Sequence, residues 1–139
     1  MSQLAGKTVI ITGSSRGVGA DTAQILAAQG ANIIVNYRSK APRANKVVKA
    51  IEEAGGHATA VQADVTKSED LTNLVNVAIE TYGSLDYLIL NASGGMETGM
   101  GEDYAMRLNR DAQLNLARLA AEKMPNGGRI VFVTSHQAH

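Results

Sequence analysis

Two periodicities alternate along this chain. Short, apolar, β-branched runs are separated by longer stretches in which apolar residues return every three or four positions. The runs predict strands buried on both faces, and the stretches predict amphipathic helices. Lys7 to Thr12 (KTVIIT) is the first run. A helix is expected from Gly17 to Gln29, stopped by Gly30 at its C′ position. Ala31 to Tyr37 (ANIIVNY) predicts the second strand. Pro42 suits the first turn of the next helix, whose face is Ala44, Val47, Val48 and Ile51 and whose end is Gly55-Gly56. His57 to Asp64 predicts the third strand. Thr66 and Glu69 are spaced as a capping box, and Leu71, Leu74, Val75, Ala78 and Tyr82 line the helix that follows, up to Gly83. Leu85 to Asn91 is the fourth strand, 92–101 a Gly/Met-rich loop, Glu102 to Met124 a long helix, and Arg129 to Ser135 the fifth strand.

Strands separated by helices imply right-handed crossovers and a parallel sheet covered on both faces. No repeat or linker interrupts the pattern. Residues 1–139 therefore read as one doubly wound α/β domain.

Composition narrows the chemistry. The 139 residues are 45% hydrophobic and 19% charged, as in an ordinary globular domain. Net charge is zero, which gives no electrostatic footprint for nucleic acid or an anionic membrane. There is no cysteine, so thiol catalysis and thiolate metal sites are excluded. The first residues lack the apolar core of a signal peptide, and no apolar run nears spanning length, so the expected compartment is the cytoplasm.

The stretch TGSSRGVGA, Thr12 to Ala20, carries most of the functional signal. In an open parallel sheet, ligands bind beyond the carboxyl ends of the strands, and this loop joins the first strand to the first helix. Gly13, Gly17 and Gly19 allow a tight turn and a close approach of pyrophosphate, with Ser15 and Val18 between them. The helix N-terminus adds free N–H groups and partial positive charge. Taken alone, a glycine loop is also consistent with a plain turn; the strand–loop–helix context favours a dinucleotide. At the end of the second strand, an NAD site wants a carboxylate for the ribose 2′-hydroxyl. Here Asn36, Tyr37, Arg38 and Ser39 offer none. Arg38 and Arg16 instead suit a 2′-phosphate through charge-assisted contacts, so the expected cofactor is NADP(H).

The spacing T-G-x-x-x-G-x-G resembles that of the short-chain dehydrogenase/reductase family. Further stretches agree in order: Asp64-Val65 after the third strand, Asn91-Ala92-Ser93 after the fourth, Leu108-Asn109 in the long helix, and Val133 to Ser135 at the end of the fifth strand. The family usually writes Asn-Asn-Ala-Gly where this chain has Leu90 to Ser93. The resemblance implies a Rossmann-like dinucleotide-binding topology with strand order 3-2-1-4-5. It also implies that Asp64 and Val65 face adenine and that Asn91, Ala92 and Ser93 lie on the nicotinamide side. Ser135 would hold the substrate oxygen, and Asn109 would position a water in the proton relay. The implied substrate is a small carbonyl compound or alcohol.

The resemblance also implies a tyrosine with a lysine four residues later, shortly beyond the serine. Tyr37, Tyr82, Tyr87 and Tyr104 are followed at that spacing by Ala41, Asp86, Asn91 and Leu108. The expectation is that residues 1–139 are the cofactor-binding part of a longer reductase domain. A dinucleotide-binding regulatory or scaffolding protein without turnover is the competing reading. A methyltransferase would want an acid at the end of the second strand.

Other features add less. His136 and His139 have no third ligand nearby, so no metal is expected. Met96 and Met100 suit a substrate-side flap or a plain turn equally. The long helix is apolar on two sides, Ala112, Leu116 and Leu119 against Leu114, Ala117 and Ala121, which predicts a subunit interface. The family resemblance makes that a homodimer or homotetramer.

Overall fold

Apolar residues on both sides of each central strand decide the architecture. The structure, a computed structural model, describes residues 4–13, 17–38, 41–64, 67–91, 102–124 and 128–133, of which 17–18, 102–110, 112–113 and 132–133 are described by their backbone alone. Strands β1 (Thr8–Ile11), β2 (Asn32–Tyr37), β3 (His57–Gln62), β4 (Tyr87–Asn91) and β5 (Arg129–Val133) alternate with helices α1 (Gly17–Ala28), α2 (Ala41–Glu53), α3 (Ser68–Tyr82) and α4 (Glu102–Lys123). All neighbouring strands pair parallel, in the order β3-β2-β1-β4-β5. The domain is thus a doubly wound α/β sheet, with the strand order that the resemblance implied.

Each face of the sheet supports its own core. Ile10, Ile34 and Leu88 pack with Leu71, Leu74, Val75 and Ala78 of α3 and with Leu116 and Ala120 of α4. Val9, Ile11, Ile33 and Val35 point the other way, onto Ala20, Ala23 and Ala27 of α1 and Ala44, Val47 and Ile51 of α2. The period of two along β1 and β2 divides the strand residues between these layers. Alanine at three contact positions of α1 leaves room for that helix close to the sheet.

The helix ends follow local chemistry. Gly30 ends α1 with φ +98, and the Gly30 and Ala31 N–H groups return to the Ala27 and Leu26 carbonyls. A Cβ on Gly30 would meet the Ala5 Cα at 2.9 Å, so both conformation and space exclude a side chain there. The expected capping box at Thr66 is not what starts α3. Its N-cap is Lys67, without a side-chain cap, and Thr66 lies outside the described residues. The Asp70 carboxylate serves the turn instead, accepting the Asp64 N–H at 2.8 Å. This choice is one of backbone geometry that residue spacing alone does not fix.

At the amino end of the sheet, the buried Asp86 carboxylate accepts the Thr8 N–H at 3.0 Å and the Ser84 hydroxyl at 2.8 Å. This brace joins β1 to the start of β4, on the side away from the glycine loop.

Candidate dinucleotide site

The parallel register brings four strand ends together. β1 runs out into Thr12 and Gly13. Gly13 has φ +62, a backbone conformation that glycine adopts without strain. α1 begins at Gly17, so the first-turn N–H groups that a helix does not pair within itself lie just past the loop, and Gly19 is buried in that turn.

Thr12 is 2% exposed and ties β1 to β4. Its Oγ1 accepts the Asn91 N–H at 2.9 Å, its own N–H donates to the Ile89 carbonyl at 3.0 Å, and the Asn91 Nδ2 reaches the Gly13 carbonyl at 3.5 Å. The strand order reverses between β1 and β4, where open α/β sheets form their ligand crevice. Thr12, Gly13 and Asn91 therefore frame that crevice.

On the other side of β1, Asn36 reaches both neighbouring strands. Its Oδ1 accepts the Gly13 N–H at 3.1 Å, and its Nδ2 donates to the Ala63 carbonyl at 3.2 Å. The Ala63 N–H returns to the Tyr37 carbonyl at 2.9 Å. Tyr37 is half-buried at the end of β2, and Arg38 beyond it is exposed. The Arg38 carbonyl accepts the Gln62 Nε2 at 3.2 Å, which holds the backbone of this corner. Asp64 is partly buried where β3 gives way to α3.

Gly13, Tyr37, Arg38, Asp64 and Asn91 are thus gathered along one edge of the sheet, with Gly17, Val18 and Gly19 at the adjoining helix start. Ser15, Arg16, Ser39, Val65, Ala92, Ser93 and Ser135 lie outside the described residues, as do Met96, Met100, His136 and His139. Asn109 belongs to α4, described there by its backbone. Among the described residues, no group of three or more His, Asp or Glu side chains has the arrangement of a metal site.

The donor set fits a 2′-phosphorylated dinucleotide. A glycine turn followed by a helix start suits a pyrophosphate. Just past β2 stands the exposed Arg38 rather than a carboxylate, and Asn36 within the strand is a buried, uncharged amide.

The short chain dehydrogenase family matches residues 7–139. The chain belongs to the short chain dehydrogenase family. A probable tetrahydroxynaphthalene reductase of Zymoseptoria tritici is 39% identical over 140 residues, covering 96% of this chain and 52% of that protein. Among solved structures, a short chain dehydrogenase from Burkholderia cenocepacia J2315 in complex with NADP is similar with TM-score 0.82 and 37% identity, covering 94% of this chain and 56% of that one. A 7α-hydroxysteroid dehydrogenase complexed with NADH and 7-oxo glycochenodeoxycholic acid is similar with TM-score 0.85 and 34% identity, covering 95% and 54%. The chain spans about half the length of the curated relatives it matches. These two solved structures carry different nicotinamide cofactors, so the choice between them falls to this chain's own residues at the end of β2.

The motif residues of the glycine loop and of the strand ends were all visible in the sequence. Asn36 was visible only as a missing acid. Its role as a brace had one available signal, a lone amide inside the otherwise apolar run IIVNY. Asp70 and Asp86 carried no such signal, because their roles depend on the turns they serve.

Proposed function

We propose that this short chain dehydrogenase is an NADP(H)-dependent oxidoreductase acting on a small carbonyl compound or the corresponding alcohol. The observation that carries the cofactor choice is the exposed Arg38 at the end of β2, beside an uncharged Asn36. The Burkholderia relative's complex with NADP and the naming of relatives as reductases support the same reading. When bound, the nicotinamide supplies or accepts a hydride. The chain's own residues bind and orient the dinucleotide. Gly13 and the start of α1 receive the pyrophosphate, Arg16 and Arg38 the 2′-phosphate, and Asp64 with Val65 flanks the adenine. Asn91, Ala92 and Ser93 border the nicotinamide end. Ser135 donates a hydrogen bond to the substrate oxygen, and Asn109 positions a water that carries the proton.

The partner we propose is a second copy of the chain, in a homodimer or homotetramer built on α4. Leu114 is 43% exposed on the side of that helix turned away from the buried Leu116 and Ala120. No helix of the described residues is long and apolar enough to cross a membrane. We propose the cytoplasm as its compartment, where NADPH-linked reductions draw on a maintained pool; cell fractionation tests this.

The activity is tested by NADPH oxidation with a panel of ketones, aldehydes and quinones, and by NADP reduction with the matching alcohols. Turnover with at least one carbonyl class, lost in Ser135→Ala, is the expected result where these residues form part of a chain as long as the relatives. NADPH binding with no turnover across the panel would leave the regulatory or scaffolding reading in its place.

A further inference from the structure

We propose that Asn36 is a positioning residue for the dinucleotide: its carboxamide clamps the first glycine of the loop to the carboxyl end of β3. This rests on the cofactor-site reading above. Asn36 lies on β2, the strand between β1 and β3, and is 3% exposed. From there one side chain reaches both flanking strand ends. Toward β1 it meets a donor, the Gly13 N–H at 3.1 Å. Toward β3 it meets acceptors, the Ala63 carbonyl at 3.2 Å and, at the 3.5 Å limit, the Val61 carbonyl; the Tyr37 carbonyl is also at 3.5 Å.

These neighbours fix both the orientation and the chemistry of the residue. An acceptor is needed on one side and a donor on the other, which an amide provides and a carboxylate does not. Aspartate would turn a charged oxygen toward the carbonyls. Leucine would take away both the acceptor of the Gly13 N–H and the donor to the buried Ala63 carbonyl. The clamp also acts on the residue whose backbone conformation shapes the loop, since Gly13 stands at φ +62.

Beyond Ala63, the next N–H, that of Asp64, is held by the Asp70 carboxylate at 2.8 Å. The glycine loop and the β3–α3 turn therefore share one hydrogen-bonded frame, with Asn36 as its joint. Asn36 touches the loop's backbone at the Gly13 N–H. Its effect on the dinucleotide passes through Gly13.

The test compares Asn36→Ala and Asn36→Thr with Asp86→Asn, which weakens the brace at the opposite end of the same sheet. NADPH affinity is read by calorimetry, thermal stability by circular dichroism, and the Gly13 amide by hydrogen exchange. Asn36→Ala is expected to weaken NADPH binding about tenfold, the equivalent of one lost hydrogen bond, and to speed exchange at Gly13. Asn36→Thr keeps an acceptor within the site and should fall between Ala and the parent in both readings. It also stands in for Ala if that variant does not fold. Asp86→Asn should lower the unfolding temperature while leaving NADPH affinity and Gly13 exchange as in the parent. Unchanged NADPH affinity in both Asn36 variants would overturn the proposal, as would an equal loss of affinity in Asp86→Asn. If the parent itself bound no NADPH, the cofactor reading would fail, whereas the Gly13 exchange rate would still report on the clamp.

Discussion

The Thr12 hydroxyl accepts the Asn91 N–H at 2.9 Å, joining two residues 79 positions apart in the chain. This bond crosses the point where the sheet's strand order reverses, and it closes the floor of the crevice between β1 and β4. A hydroxyl at this place gives the Asn91 N–H an acceptor where β1 runs out into a glycine turn.

Thr12→Val keeps the shape of the side chain and removes the acceptor. The Asn91 N–H then loses its hydroxyl acceptor, which should cost about 0.5–1.5 kcal/mol of stability. Thr12→Ser retains the oxygen and should lose less. Urea denaturation of the three proteins checks this, and equal midpoints for Val and the parent would show the bond to be dispensable.

Neighbouring leucines of α4 should behave oppositely. Leu116 is fully buried against the sheet, and Leu116→Ala should cost about 2–5 kcal/mol through lost contacts and a residual cavity. Leu114 is 43% exposed, and Leu114→Glu should leave the fold of a protomer within about 0.5 kcal/mol of the parent. Its expected effect is on assembly: a lower mass by light scattering. A parent protein that is already monomeric would remove the basis for the proposed interface.

Proton supply gives a third expectation. None of the four tyrosines in these 139 residues has a lysine four positions later. A polypeptide of these residues alone should therefore bind NADPH and show no carbonyl reduction, since a positioned general acid is typically worth about 10²–10⁴-fold. The serine hydroxyl of Ser135 donates a hydrogen bond but is too weak an acid to replace a phenol. Robust turnover by that polypeptide would place the proton donor among residues not considered for the role.

The strands and helices were legible because burial on both faces leaves long apolar runs such as VII and IIV in β1 and β2. Helix stops were legible where glycine must take a positive φ, as at Gly30. Boundaries moved by a residue or two where the backbone, rather than composition, decides the end. β3 stops at Gln62 although Ala63 is also buried, and β4 begins at Tyr87 although Leu85 is 0% exposed. At the site, the glycine loop and Arg38 could be proposed from the sequence because glycine suits a close backbone approach and arginine suits a phosphate. Asn36 could not, because the same amide would suit an edge, a turn or a cap. Only the positions of Gly13 and Ala63 on either side give it a role. The cap of α3 was misplaced for a related reason: Asp70 reaches back to Asp64, and sequence spacing does not reveal the path of that turn.

Arg38 is the residue proposed to divide the two nicotinamide cofactors. The decisive measurement is the dissociation constant of NADPH and of NADH, by calorimetry, for the parent and for Arg38→Asp. The parent should bind NADPH more tightly than NADH. Arg38→Asp should weaken NADPH by roughly tenfold or more, the loss expected for a charge-assisted bond to phosphate, while NADH binds as well as before or better. Equal affinities in the parent, or an equal loss for both cofactors in the variant, would contradict the assignment of the β2 end as a 2′-phosphate site.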